Sequence, residues 1–453
     1  MTHENKKKTK RTSRKKDAYS DEFNNVLREI AKKNLGKSLD ELMKPGSDLT
    51  DLLGQFVKIT MEEEMAAHLG YESHERRYDE SGHPIKGQRE NTRNGHSAKT
   101  LKTSQGDIKI AIPRDRNADF EPQIVPKHGT LTADMEGKIV SLYAHGMTTR
   151  DIQHHISEMY HTDISSMFVS RVVERLEPEL IAWRDRPLEA VYPVVFIDAI
   201  HQKIRHSHGI VSTAIYLVCA YNEYGKLEVL GVWAAPSDLN PKESASFWHQ
   251  VMLQLQRRGV ETILTLSADG LKGLENAVCA VFDVNYFLPC VVHLVRNSLI
   301  QVSWKERSKV ATELREVYQA STYEMAEQNL ALFEEKFSQK YPNIVRQWKE
   351  NLPRISGLWK FGKELRKLVY TTNAIENVNR QIRKVTKTRG VFPNTDSALQ
   401  LITLCLIERE RKQDAQTKIR GDWRKICIEL HFHFSESLPE QWGLRYLGTG
   451  QGY

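Results

Sequence analysis

The chain has 453 residues, 40% of them hydrophobic, which is enough for two to four domains with real cores. Its net charge of +7 sits entirely in residues 1–16, MTHENKKKTKRTSRKK, where eight Lys and Arg meet a single Glu; the remaining residues sum to zero. No secretory apolar segment follows this start and no apolar run is long enough to span a bilayer. The five cysteines, at 219, 279, 290, 405 and 427, form no CxxC pair, which excludes a zinc finger or ribbon and fits a reduced compartment.

Residues 1–20 form a basic arm with almost nothing apolar to bury, suited to phosphate contacts or to simple solubility. Residues 21–70 carry helical patterns, DEFNNVLREIAKKNL and SDLTDLLGQFVKITMEEEMAAHLG. Residues 71–97 are polar and read as linker, and TLKTSQGDIKIAIPRDR alternates either side of Gln105-Gly106-Asp107, a hairpin signal. From 131 to 181 the pattern is helical again. AHGMTTRDIQHHISEMYHTDISSMFVSRVVERL predicts two short helices, capped by Thr148 or Thr149 and by Ser165. Ile152 and Ile156 are the apolar stripe of the first, and Phe168, Val172 and Leu176 that of the second. Such a pair resembles a helix-turn-helix, with Arg150, Ser166, Ser170 and Arg171 available to DNA; an ordinary helical hairpin has the same pattern.

From 191 the runs become short, β-branched and aromatic: VVFIDAI, IVSTAIYLVCAY, LEVLGVWAA and ETILTLSA, with PKESASFWHQVMLQLQRRG helical before the last. The order β-β-β-α-β continues into a helical LKGLENAVCAVF and predicts a sheet covered on both faces. Residues 296–365 read as an all-helical insertion, with Ala326, Leu330, Phe333 and Phe337 as one stripe. Two further helices span 371–412, including the buried ALQLITLCLI, and His431-Phe-His-Phe434 alternates like a strand.

Three carboxylates carry chemistry. Asp198 lies inside the apolar strand VVFIDAI, where an acid is costly unless paired or bound to a cation. Asp269 ends a strand in TLSADGLKGL; Asp before Gly and a helix is equally an N-cap. Glu376 opens the helix in YTTNAIENVNRQIRKVTKTRG, where Asn373-Ala-Ile-Glu376 also has capping-box spacing and Arg380 lies four residues on. Together the three could hold two divalent cations; hard oxygen donors suit Mg²⁺ (or Mn²⁺). Arg380, Arg383 and Lys387 share a helix face with Glu376, Lys384 and Arg389 add charge, and Ile375, Val378, Ile382 and Val385 form the core-facing stripe.

VVFIDAIHQKIR, SADGLKGL, CVVHLVRNSL, SWKERSKV and YTTNAIENVNRQIRKVTKTRGVFPN resemble the signature blocks of Mutator-type bacterial insertion-sequence transposases, and RNGHSAKTLKTSQGDIKIAIPRDRNADFEPQIVPK resembles that family's N-terminal region. The resemblance covers roughly residues 40–430. It implies an α/β, RNase H-like catalytic domain with a mixed sheet, interrupted by an all-helical insertion and preceded by a mostly helical DNA-binding region with a helix-turn-helix. It also implies a DDE triad of Asp198, Asp269 and Glu376 with two Mg²⁺ or Mn²⁺ ions. The Cys-x-x-His motif matches Cys290 and His293, with Arg296 and Asn297 following as further active-site support. The implied boundaries are a basic arm (1–20), N-terminal helices (21–70), linker and hairpin (71–130), helix-turn-helix region (131–185), catalytic domain (186–295 and 366–430) around an insertion (296–365), and a C-terminal tail (431–453). The implied activity is cleavage and strand transfer at terminal inverted repeats of double-stranded DNA by a cytoplasmic, nucleoid-associated homo-oligomer. A non-catalytic DNA-binding regulator and a structure-selective nuclease on the same fold are the alternatives.

Overall fold

The computed structural model describes residues 21–42, 46–75, 90–104, 106–125, 131–207, 209–236, 241–370, 373–414 and 422–443. The basic arm, residues 76–89 of the linker and the last ten residues lie outside them. The chain divides into two compact units, one of residues 1–139 with 153–165 and the other of residues 140–152 with 166–453.

In the first unit lie α1 (Asp21–Lys33), α2 (Leu39–Leu42), α3 (Asp48–Leu69) and a hairpin of β1 (Arg93–Thr103) and β2 (Gly106–Asp115). Ser47 caps α3 by accepting from Thr50 N, and Gly70, at φ 73°, closes it in the left-handed conformation that glycine adopts without strain. Val57 and Met61 of α3 cluster with Leu101, Ile108, Ile110 and Ile112 of the hairpin. Residues 93–97, expected as linker, belong to β1. Backbone pairing with residues 112–115 and an ion pair from Arg93 to Glu62 at 2.7 Å hold a segment that lacks apolar alternation.

Helices α4 (Ala133–Ala144) and α5 (Thr149–Tyr160) contribute residues to both units; α6 (Ser166–Glu174) and α7 (Glu177–Asp185) belong to the second. Thr148 caps α5 in a reciprocal pair: Asp151 N donates to Thr148 Oγ1 (3.1 Å) and Thr148 N to Asp151 Oδ2 (3.2 Å). Ile152 and Ile156 are fully buried. The core face of α6 is Val169, Val172 and Val173, while Phe168 and Leu176 of the expected stripe are half-buried.

The second unit is built on β3 (Val191–His206), β4 (Gly209–Tyr221), β5 (Leu227–Ala234), α8 (Pro241–Arg257), β6 (Thr262–Ala268), α9 (Leu274–Cys279), β7 (Val284–Pro289) and α10 (Val291–Ile300). The five strands form one sheet in the order β5-β4-β3-β6-β7, with β4 antiparallel to both neighbours and β3, β6 and β7 mutually parallel. Strand β7, VNYFLP, has no counterpart in the expected strands. Val195 and Ile197 of β3 pack with Trp248, Val251 and Leu255 of α8 and Leu274 and Val278 of α9 on one face.

Four helices follow without a strand between them, α11 (Arg307–Tyr318), α12 (Tyr323–Phe337), α13 (Pro342–Asn351) and α14 (Lys363–Tyr370), with short 3-10 segments. Ala326, Leu330, Phe333 and Phe337 are buried, as their spacing requires. Then come α15 (Asn373–Thr386), α16 (Thr395–Asp414) and α17 (Trp423–Phe434). Helix α15 packs along β3: Gln202 Nε2 donates to Thr386 Oγ1 at 3.0 Å, and the chain beyond α15 pairs with the strand end, Phe392 N donating to Lys203 O at 2.8 Å. His431-Phe-His-Phe434 is not a strand. It completes α17, whose buried stripe of Trp423, Ile426, Cys427, Leu430 and Phe434 has helical period.

Candidate active site

Asp198 sits near the middle of β3, 7% exposed. Among the described residues its one ion-pair contact is with His293 and not with an Arg or Lys. One carboxylate oxygen, Oδ2, accepts from Asn379 Nδ2 of α15 at 2.5 Å; the other, Oδ1, accepts from Ala199 N at 2.8 Å and lies 3.6 Å from His293 Nε2. The strand carries the acid into a dry layer, and a neutral amide with an imidazole gives partial compensation.

The sheet register brings Asp269 alongside. In the parallel β3–β6 pair Ile197 faces Ala268, and in β6–β7 Ala268 faces Pro289. Asp198 thus follows the last β3–β6 pair on β3, while Asp269 and Cys290 are the first residues past the ends of β6 and β7, and Cys290 N donates to Ala268 O at 2.8 Å. Asp269 is half-exposed and is not the cap of α9, whose N-cap is Gly273. Its Oδ1 accepts from Gly270 N at 2.9 Å. A cleft of about 600 Å³ opens beside it, lined among others by Lys272, Cys290, Asn297 and Arg354.

Glu376 lies in the first turn of α15, half-exposed. Arg296 Nη2 of α10 donates to its Oε1. The side chain of Asn373 is outside the described residues, so the capping-box reading is not addressed. Arg380 turns to Asn377 Oδ1 at 2.9 Å. The stripe of Ile375, Val378, Ile382 and Val385 is buried as read from sequence, and Arg380, Arg383, Lys384 and Lys387 are exposed. Arg389 is tied inward: its guanidinium stacks 4.4 Å over the Tyr143 ring and Nη2 donates to Met147 O at 2.7 Å. Arg150 and Arg171 are exposed; Ser166 and Ser170 are half-buried and bonded to each other, Ser170 Oγ donating to Ser166 O.

Cys290 is buried at the start of α10 with its N–H donating to Ala268 O at 2.8 Å, and His293 follows one turn later. Sequence reading missed Asn379. The signal was present: Asn379 is four residues from Ile375 and three from Ile382, inside the core-facing stripe, where an amide needs a partner.

Could these residues hold a divalent ion? Asn379 Oδ1 is buried with no donor, and so is His293 Nδ1 without an acceptor, both next to the Asp198 carboxylate. An orphaned amide oxygen beside a buried carboxylate suits the hydration shell of a hard cation, and Asp198 with Asp269 supplies oxygen ligands. Glu376 does not close on them: among the described residues, the one set of three ligand groups with donor atoms within 4.8 Å of one another is His68, Asp115 and Asp119 of the first unit. There Asn91 Nδ2 bridges Asp115 (2.6 Å) and Asp119 (3.0 Å), and Phe120 N donates to Asp115, so the acids organise their own loop.

A mixed five-stranded sheet, with Asp198 on a central strand and Asp269 just past the end of its parallel neighbour beside a helix rich in Arg and Lys, defines an α/β protein. The profile of the family described as "Transposase, Mutator family" matches residues 22–415, and the chain belongs to that family. It is 39% identical over 317 residues to the transposase for insertion sequence element ISRM3 of Rhizobium meliloti, covering 70% of this chain and 78% of that one. A probable insertion-sequence transposase of Corynebacterium diphtheriae is 38% identical over 332 residues, 73% of this chain and 94% of its own. The transposase of IS256 in Tn4001 from Staphylococcus aureus is 24% identical over 323 residues, 71% of this chain and 81% of its own. No helix among the described residues is long and apolar enough to cross a membrane.

Proposed function

We propose that the chain is an insertion-sequence DNA transposase that binds the terminal inverted repeats of its element, cuts at their ends and joins the freed 3′-hydroxyls to target DNA. The observation that carries this is the register of β3 and β6, which sets Asp198 beside Asp269, with Asn379 of the basic helix bonded to Asp198. The five-strand order, with β4 antiparallel to β5 and β3 and with β3, β6 and β7 mutually parallel, supports an RNase H-like catalytic domain. In such a domain Asp198, Asp269 and, when not paired with Arg296, Glu376 would hold two divalent cations, Mg²⁺ or Mn²⁺. The bound ions supply activation of the attacking oxygen and charge neutralisation at the leaving one.

The chain's own groups do the rest. His293 and Asn379 orient the Asp198 carboxylate, and exposed Arg380, Arg383 and Lys387 receive the DNA backbone. Helices α5 and α6, with Arg150 and Arg171 exposed, serve as the helix-turn-helix that reads the repeat. Cutting two ends in one complex calls for a homo-oligomer, working in the cytoplasm on the nucleoid.

The test is cleavage and strand transfer on terminal-repeat duplex with and without Mg²⁺. Asp198→Asn is expected to abolish both products while retaining repeat binding. Full product formation by that variant would refute the assignment, and Mg²⁺-independent binding with no nicked product from the native chain would mark a regulator instead.

A further inference from the structure

A second cavity, of about 850 Å³, lies in the second unit between α15, α16 and the β4–β5 turn. Its charged lining is Lys226, Lys384, Arg409 and Lys412, with His145 and one acid, Glu408. It is bordered by Gln381, Lys384 and Val385 of α15 and by Thr388 just beyond its end. Gln381 and Val385 lie on a different side of the helix from Glu376, Arg380, Arg383 and Lys387, and Lys384 lies between the two sides. Its lining includes none of Asp198, Asp269 and Glu376.

Arg409 is the unusual member. It is 8% exposed, and its Nε and Nη1 are buried with no hydrogen-bond partner. Neighbouring acids are committed elsewhere: Glu408 to Arg411 at 3.1 Å, and Glu410 to Trp183 Nε1 at 2.7 Å and Arg186 at 3.4 Å. The two thiols beside it are no counter-ions, because burial pushes Cys219 up to about 12 and Cys405 up to about 11, leaving both neutral at pH 7. A buried guanidinium is stable when an anion pairs with it, and its planar fork of donors matches phosphate oxygens.

We propose that this cavity is a phosphate seat in which Arg409, Lys384 and Lys412 hold one phosphate group. The two exposed lysines and the buried guanidinium line the same cavity and would share the phosphate oxygens. The phosphate belongs either to a DNA backbone or to a free phosphate ester; the chemistry is the same, and the two sources separate by experiment. The inference does not depend on the three-acid reading.

The full-length chain is titrated with inorganic pyrophosphate by calorimetry and with a 30-bp mixed-sequence duplex by fluorescence anisotropy at several salt concentrations. Arg409→Gln and Lys412→Gln are compared with Lys425→Gln, an exposed lysine on α17 that loses the same charge elsewhere. Each cavity variant is expected to weaken its probe about ten-fold, and on DNA to reduce the salt slope by about 1. Loss with pyrophosphate alone assigns a free phosphate ester; loss on DNA, alone or with it, assigns the backbone. The proposal is overturned if neither probe responds to the cavity variants, or if Lys425→Gln weakens binding as much as they do. Should Arg409→Gln fail to fold, the exposed Lys412→Gln decides the outcome.

Discussion

Asn379 Nδ2 donates to Asp198 Oδ2 at 2.5 Å, joining a strand and a helix 181 residues apart in sequence. The bond fixes the carboxylate's orientation and leaves Asn379 Oδ1 free of donors. Groups that orient a ligand of a metal centre typically account for 10–100-fold of its activity. Asn379→Ala is therefore expected to lower strand cleavage by about 10–100-fold with duplex affinity retained. Parallel cleavage and anisotropy assays check this, and an equal loss in both would point to a folding defect.

Arg296 and Glu376 form an ion pair whose side chains are 48% and 33% exposed. Exposed pairs contribute about 0–1 kcal/mol, so Arg296→Gln is expected to leave the urea midpoint nearly unchanged. The guanidinium also competes with any cation for that carboxylate. Calorimetry on DNA-free protein is expected to show tighter Mn²⁺ binding in Arg296→Gln and weaker binding in Glu376→Gln. Identical Mn²⁺ affinity in all three proteins would remove Glu376 from the metal site.

Gly146 has φ 94°, and its carbonyl accepts from Thr388 Oγ1 at 2.9 Å. A Cβ there would lie 2.2 Å from Val385 O, the last turn of α15. Left-handed backbone and overpacking each cost about 1–3 kcal/mol, so Gly146→Ala is expected to lose about 2–4 kcal/mol in a chemical denaturation curve.

Cys279 is exposed, while Cys219, Cys290, Cys405 and Cys427 are buried. Burial also raises Cys219 and Cys427 to about 12 and Cys405 to about 11, so these stay protonated and unreactive. At pH 8 a thiol reagent is expected to label one cysteine rapidly, mapped by mass spectrometry to residue 279, and the other four only after denaturation.

Glu306 accepts from Lys340 Nζ at 2.5 Å and Tyr341 OH at 2.6 Å, and these hold its carboxyl at about 2 rather than 4.5. A depressed acid contributes stability that is complete above the unfolded value and is lost as pH falls toward the folded one. Glu306→Gln is expected to be less stable than the native chain at pH 6, with the gap in urea midpoint shrinking between about pH 4.5 and 2. A gap that is constant with pH would mean that packing, not charge, is responsible.

Elements with strong internal periodicity were readable in advance. The stripe of Ile375, Val378, Ile382 and Val385, the hairpin around Gly106 and the order of the first four sheet strands carry their own apolar pattern. Strand β7 does not: Val284, Tyr286 and Phe287 are only half-buried, and the strand exists because its backbone completes the edge of β6. His431 and His433 misled because a two-residue alternation was read without the longer stripe from Trp423 to Phe434 around it. Asp198 was legible as a charge in a greasy strand. Its partner Asn379 was hidden because amides are common on polar helices, and the buried state of Arg409 depends on α15 and the β4–β5 turn, far from it in sequence.

Synthesis proceeds from the N-terminus, and the 181-residue separation of Asp198 and Asn379 spans α8 to α14. At translation speeds of roughly 5–20 residues per second, β3 waits about 10–40 s for the helix that completes it. During that interval the face of the sheet bearing Asp198 stays open to water. A chain that stops just before α15 lacks both Asn379 and the basic side chains of that helix while still carrying α1 to α14.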